Sequence, residues 1–150
     1  MNILFVCTGN ICRSPSAEAL LREKLSLHNQ TTHHIDSVGV AGYHIGDAPD
    51  PRALISAQRY GVDMAALRAR KICAADFVAF DIILAMDRGH LSTLLDICPA
   101  AHRHKVRLFN EEIYQRRTDV EDPYYGGQHD FDMMFEKLDA ALDIFVMNHT

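Results

Sequence analysis

With 150 residues, 48% of them apolar and 23% charged, the chain has the length and balance of one soluble globular domain, expected to span residues 1–150. Twenty acidic residues against 15 basic ones leave a net charge of −5, which excludes a general attraction to nucleic acid or to an anionic membrane. The start "MNILFVC" has no basic region and too short an apolar run for a signal peptide or a membrane span, so a cytoplasmic protein without membrane insertion is expected.

"NILFVC" (residues 2–7) reads as a fully apolar strand of the kind buried in a parallel sheet. A helix follows, with Ser14 predicted as its N-cap, Pro15 at its first position, and Ala17, Leu20, Leu21 and Leu25 on one face. "HHIDSV" (33–38) is a weaker strand, and the Gly- and Pro-rich stretch 39–51 a loop. Asp50 caps and Pro51 opens a second helix that Gly61 ends. "FDIILAM" (80–86) is the clearest central strand, "GHLSTLLDI" the helix after it, and "KVRLFN" (105–110) a fourth strand. Residues 111–129 look irregular, with a turn at "EDPYYGG". Phe131, Met134, Phe135, Leu138, Leu142 and Phe145 form one stripe of a last helix, whose plain meaning is core packing. Strands alternating with helices predict an α/β fold: a single-domain, doubly wound, flavodoxin-like parallel sheet of four strands with helices on both faces. Such sheets bind ligands beyond the carboxyl ends of their strands, where Cys7 lies.

The segment "VCTGNICRSPS" closes a strand onto a helix start. A loop of this kind turns several backbone N–H groups to one point and, with the positive end of the helix, makes an anion site. Gly9 can take backbone angles other residues avoid, and Asn10 is among the few non-glycines that tolerate the left-handed region. Arg13 adds a planar fork able to bind two oxygens of a phosphate at once. Thiols beside helix N-termini and cations lose their proton readily, with pKa values of roughly 3.5–7.5. Ser14 is positioned to donate a hydrogen bond to such a thiolate. The same cradle therefore holds a tetrahedral oxyanion over a nucleophile, which is how a covalent phosphocysteine forms. Cys7, Cys12, Cys73 and Cys98 lack the paired spacing of a zinc site and are expected as reduced thiols. "HH" at 33–34 and "HRH" at 102–104 read as solvated histidines, so no metal and no cofactor is expected.

"VCTGNICRSPSAEAL", followed in order by "DSVGVAGYHIGDAPDPRA", "FDIILAMD" and "EDPYYG", closely resembles the low-molecular-weight protein tyrosine phosphatases, in a bacterial-type form, over nearly the whole chain. The resemblance implies a cytoplasmic, metal-independent hydrolase of phosphotyrosine. It assigns Cys7 as nucleophile, Arg13 as phosphate clamp and Asp122 as general acid and then base. Thr8, Gly9, Asn10, Ile11, Cys12, Arg13 and Ser14 become the phosphate-binding loop, and Ser37 and Pro123 support the loops around it. Tyr43 and Tyr124 match aromatic walls of the crevice; Tyr125 is a further wall or a phosphorylation target. Cys12 either forms a protective disulfide with Cys7 or packs beneath the loop. The implied partner is a phosphotyrosine-containing protein, by analogy a bacterial tyrosine kinase, met by a monomer or weak dimer.

The sequence departs from the family pattern at Leu67, where bacterial members carry a histidine that bonds the loop asparagine, and at Val40, where threonine is common. The loop then relies on Ser37 or another group. Three alternatives stay open. In the related protein arginine phosphatases a threonine stands at the position of Ile11, so Ile11 favours phosphotyrosine over phosphoarginine. Thioredoxin-linked arsenate reductase needs two further cysteines close in sequence, whereas Cys73 and Cys98 are 25 residues apart. A non-catalytic phosphate-binding module would be expected to have lost Cys7, Arg13 or Asp122.

Overall fold

The computed structural model describes residues 1–30 and 32–149. In chain order the elements are β1 (Asn2–Cys7), α1 (Arg13–Leu27), β2 (His34–Gly39), α2 (Pro51–Arg59), α3 (Ala74–Ala79), β3 (Ile82–Ala85), α4 (Arg88–Ile97), a 3-10 segment (Ala100–Lys105), β4 (Val106–Leu108), α5 (Phe109–Tyr114) and α6 (Gln128–His149). The four strands pair in the order β2-β1-β3-β4, all parallel. The doubly wound α/β architecture is the expected one. No helix among the described residues is long and apolar enough to cross a membrane.

The near-continuous apolar character of β1 follows from helices on both faces. Ile3, Phe5 and Cys7 point to one side, where α1, α2, α5 and α6 contribute Leu21, Ala57, Phe109, Phe131, Phe135 and Leu142 to the core. Leu4 and Val6 point to the other, where Phe77 of α3 and Leu91 and Leu94 of α4 cover the sheet. The α6 stripe lies wholly in the first of these cores.

Several boundaries differ from expectation, each for a local reason. Ser14 is not the cap of α1: the helix already includes Arg13, the cap position falls on Cys12, and no side chain bonds the free N–H groups there. The Ser14 hydroxyl is used inside the site instead. β4 is only three residues long, because the chain turns directly into α5 at Phe109, within the stretch read as strand and irregular loop. The helix α3 was not expected either; its start is closed by Asp76, which accepts from the backbone N–H of Cys73. Asp50 does cap α2, accepting from Arg52 N at 2.9 Å, with Pro51 at the first position and Gly61 beyond the end at φ 71°.

The chain leaves β1 toward β2 and later returns on the other side of β1 to form β3. That reversal opens a crevice at the carboxyl ends of β1 and β3. Cys7 emerges at one end and Met86 and Asp87 at the other.

Candidate active site

Residues 7–13 wrap the start of α1. Asn10, not Gly9, is the left-handed residue, at φ 59°. The smallness of Gly9 serves instead to admit the His44 ring, whose Cδ2 lies 2.8 Å from where a Cβ would stand. Gly39, at the end of β2, lets the loop backbone approach the sheet: a Cβ there would fall 2.7 Å from the Thr8 carbonyl oxygen and 3.1 Å from the Asn10 nitrogen. The loop is also tied to the chain after β2, with Val40 N donating to Cys7 O and Ala41 N to Thr8 O.

The strained Asn10 is held through its side-chain amide. Nδ2 donates to Ser14 Oγ and to Ser37 Oγ, both at 2.9 Å, and Oδ1 accepts from Arg70 N at 3.0 Å. Ser14 Oγ accepts from Asn10 and has two acceptors within reach of its single hydrogen, the Val38 carbonyl at 3.3 Å and Cys7 Sγ at 2.9 Å; a charged thiolate would be the stronger competitor for it. Ser37 donates in turn to Glu18 Oε1 at 2.6 Å, and Arg22 pairs with Glu18 Oε2 at 2.8 Å. Glu18 is 3% exposed. Burial raises its pKa above the ordinary carboxylate value, against the Ser37 and Arg22 contacts that favour its charge. Leu67 packs on the core and lines a surface depression with Ala19, Arg22 and Val62. Asn10 therefore satisfies its amide through Ser14, Ser37 and the backbone of Arg70.

Arg13 is 3% exposed although it carries a full charge, and three groups explain that. Its NH1 donates to Asp87 Oδ2 at 3.0 Å and to the Val120 carbonyl at 2.8 Å, and NH2 lies 3.6 Å from Asp122 Oδ2. Val120 N donates to the Met86 carbonyl just beyond β3, so one residue fastens the segment that carries Asp122 both to the end of β3 and to the guanidinium. Asp122 is shaped by a local turn: its Oδ1 accepts from Tyr124 N at 3.1 Å, leaving Oδ2 toward Arg13. Pro123 is buried in that turn. Arg52 braces it from outside, bonding Asp50 and the Gly126 carbonyl while its guanidinium stands 4.4 Å over the Phe131 ring. Despite the burial of Asp50, those bonds hold its carboxyl below the ordinary value.

These elements enclose a cleft of about 260 Å³. Cys7, Thr8, Gly9, Ile11, Cys12, Arg13, Tyr43, Asp122, Tyr124 and Tyr125 line it, while Asn10, Ser14 and Ser37 form the hydrogen-bonded layer beneath. Tyr43 is 82% and Tyr125 92% exposed, but Tyr124 is only 39% exposed, stacked edge-on against Tyr125 at 5.1 Å. An aromatic ring entering between them would find an apolar slot above an anion cradle. Cys12 is a free buried thiol, and burial, then its neighbours Cys7 and Asp50, push its pKa well up. Among the described residues no three His, Cys, Asp or Glu side chains converge to hold a metal ion.

Three residues here have no counterpart in the sequence reading. His44 lines the cleft with Nδ1 held by Asp47 at 3.1 Å. Asp87 caps α4, accepting from His90 N at 2.8 Å, and holds Arg13. His90 is buried and stands 2.7 Å from the Thr8 hydroxyl. Burial, opposed by Asp87 and aided by Arg13, pushes its pKa down to about 4. An Asp that ends a strand and caps the next helix was the available signal, since that places a carboxylate at the crevice.

Comparison with known proteins gives a consistent picture. Residues 2–148 match the family model described as low molecular weight phosphotyrosine protein phosphatase. The chain is 43% identical over 135 residues to the low molecular weight phosphotyrosine protein phosphatase of Schizosaccharomyces pombe, covering 87% of this chain and 85% of that one. A crystal structure of a protein tyrosine phosphatase from Entamoeba histolytica, with Hepes in its active site, superposes with a TM-score of 0.92 at 35% identity, over 98% of this chain and 95% of that one. The same TM-score, at 25% identity over 99% and 95% of the two chains, is reached by the arginine phosphatase YwlE of Bacillus subtilis, solved as a cysteine-to-serine variant whose active-site serine is phosphorylated.

Proposed function

This chain belongs to the low molecular weight phosphotyrosine protein phosphatase family and is a cysteine-dependent protein tyrosine phosphatase, and from that premise we propose how its residues carry out the hydrolysis. Cys7, as a thiolate receiving the Ser14 hydrogen, attacks the phosphorus of phosphotyrosine, and the S–P bond forms as the P–O bond to the phenol breaks. Asp122 gives its proton to the departing oxygen. It then takes one from the water that cleaves the phosphocysteine, releasing inorganic phosphate and restoring the thiolate. Arg13 and the N–H groups of residues 8–13 stabilise the charge spread over the equatorial oxygens, so the residues at hand supply the electrostatic work without a metal. The observation that carries this reading is the convergence on one cleft of a thiol bonded to Ser14, a buried guanidinium and the Asp122 carboxylate. The phosphorylated serine of the arginine phosphatase supports a covalent step by analogy.

The expected substrate is a phosphotyrosine-containing protein, by analogy a bacterial tyrosine kinase, met by a cytoplasmic monomer or weak dimer. Ile11 on the cleft wall favours tyrosine over phosphoarginine, because no hydroxyl stands there to assist a phosphoguanidine. An arsenate-reductase relay is disfavoured by Cys98, which packs in the core on the opposite face of the sheet from Cys7. A redox role for Cys12, pairing with Cys7 on oxidation, remains a proposal alongside its packing role.

The test is phosphate release in EDTA from a phosphotyrosine peptide and from a phosphoarginine peptide, with the native chain, Cys7→Ser and Asp122→Asn. Release from the tyrosine peptide that is lost in Cys7→Ser and falls by roughly 10²- to 10⁴-fold in Asp122→Asn supports the mechanism. Activity surviving in Cys7→Ser, or greater on phosphoarginine, overturns it.

A further inference from the structure

His90 lies in the first turn of α4, 5% exposed, and no step of the mechanism uses it. Its surroundings are unusual for a packing residue. Nε2 is 2.7 Å from Thr8 Oγ1, at the beginning of the phosphate loop. Nδ1 is buried, 3.2 Å from Asp87 Oδ1 but without the alignment of a hydrogen bond, and has no other partner. A polar atom left so in a core costs stability, and native proteins retain such atoms mostly where function requires the geometry. Of the two neutral tautomers, the one with hydrogen on Nδ1 sets that hydrogen rather than a lone pair against the carboxylate. Nε2 then accepts the hydrogen of the Thr8 hydroxyl.

Asp87 meanwhile holds Arg13 through its other oxygen. The two halves of the anion site therefore come from different parts of the chain, the amide cradle from the loop after β1 and the guanidinium anchor from the end of β3. His90 touches both. We propose that His90 is a positioning residue for phosphate recognition: by bonding Thr8 while resting against Asp87, it fixes the spacing between the loop amides and the carboxylate that holds Arg13. The inference rests on the phosphatase reading for its catalytic consequence but not for its binding consequence. An oxyanion bound by two rigid groups loses affinity when either can drift, whatever chemistry follows.

The experiment measures the affinity of the full chain for inorganic phosphate, by calorimetry and by competition in phosphotyrosine-peptide hydrolysis, with thermal melting in parallel. The variants are Thr8→Val, His90→Leu, the two combined, and His90→Gln, whose amide can reach Thr8. Thr8→Val and His90→Leu are each expected to weaken phosphate binding by roughly three- to tenfold, the pair no more than the worse single change, and His90→Gln to recover most of the loss. kcat/KM should fall by at least the same factor, because the loop amides and Arg13 that hold phosphate also hold the equatorial oxygens in the transition state. Phosphate affinity within about twofold of native in Thr8→Val and His90→Leu, with only the melting temperature moved, overturns the proposal. Failure of the phosphatase reading would show separately, as a native chain that binds phosphate but hydrolyses nothing.

Discussion

Replacing Ser37 by alanine removes one oxygen that has two partners. It accepts from Asn10 Nδ2 at 2.9 Å and donates to Glu18 Oε1 at 2.6 Å. Asn10 keeps Ser14 and Arg70 N, so its loss is one neutral hydrogen bond of about 1 kcal/mol. Glu18 keeps Arg22 but loses its other donor in a buried setting, a charge-assisted bond worth about 1.5–3 kcal/mol. Together the change should cost about 2.5–4 kcal/mol, a large part of the roughly 5–15 kcal/mol that holds a domain of this kind together. The cost has a pH signature. Burial already raises the Glu18 pKa, and losing the Ser37 hydrogen raises it further. A group whose pKa is raised by folding contributes stability below its unfolded value and loses it as pH rises through the folded value, so the alanine variant is hurt more at pH 8 than at pH 5. Urea denaturation of native and Ser37→Ala chains at both pH values measures this, with kcat on a phosphotyrosine peptide reporting the loop. A cost below about 1 kcal/mol at both pH values, or an equal cost at both, would refute the view that this hydroxyl couples Asn10 to Glu18.

Gly39→Ala should leave a folded chain with kcat down by about tenfold or more, because the new methyl meets the Thr8 carbonyl and the loop must move off its cradle; steady-state kinetics beside a melting curve separates the two effects. For His90 the sign is opposite to that of Glu18. Its folded pKa of about 4 lies below the ordinary histidine value near 6.5, so the unfolded chain takes up a proton that the fold excludes, and stability is lost as pH falls from about 6.5 toward 4. Between pH 7 and pH 5 this amounts to about 2 kcal/mol, read as a fall in the urea midpoint that is shallower in His90→Gln. Leu67→His should raise kcat by less than about twofold, since both amide hydrogens and the oxygen of Asn10 already have partners; a larger gain in turnover would show that the loop is under-supported as it stands. Arg52→Ala removes the brace between Asp50, Gly126 and Phe131, and is expected to raise KM for peptide substrates by several-fold while phosphate affinity holds, as measured by competition.

Elements with a long, unambiguous burial pattern were legible in the residues themselves. β1 and β3 are apolar on both faces and α6 carries a stripe from Phe131 to Phe145, so the topology followed. Short elements were not. α5 begins after Leu108 with no capping side chain and runs six residues, too few for periodicity to declare itself, and α3 opens on a cysteine, a residue with no capping preference. Ser14 illustrates a different failure. A serine before a proline has the local features of an N-cap, yet tertiary partners at Cys7, Asn10 and Val38 claim its hydroxyl. Within the cleft, the residues of one continuous loop could be read from their order, because a strand, a glycine, an asparagine and an arginine in seven positions already imply an anion cradle. His90 and Glu18 could not, because each reaches the loop from another element with no local signature of doing so, and Asp87 showed only as a carboxylate between a strand end and a helix start, with nothing to say that it holds Arg13.

The alternation of β1 has a consequence for what enzymatic turnover reports. Cys7 is the last member of the row begun by Ile3 and Phe5, and its partner across the ladder is Gly39. A slip of one residue in that strand would leave an apolar segment in the sheet with nearly the same composition on each side. It would also turn the sulfur to the α3–α4 face, away from Ser14 and Arg13. The apolar packing of β1 is therefore tolerant of register and the chemistry is not. An assay of phosphate release on insertion or deletion variants near the amino terminus is thus a sensor of strand alignment, able to distinguish a correctly threaded sheet from one that is merely compact.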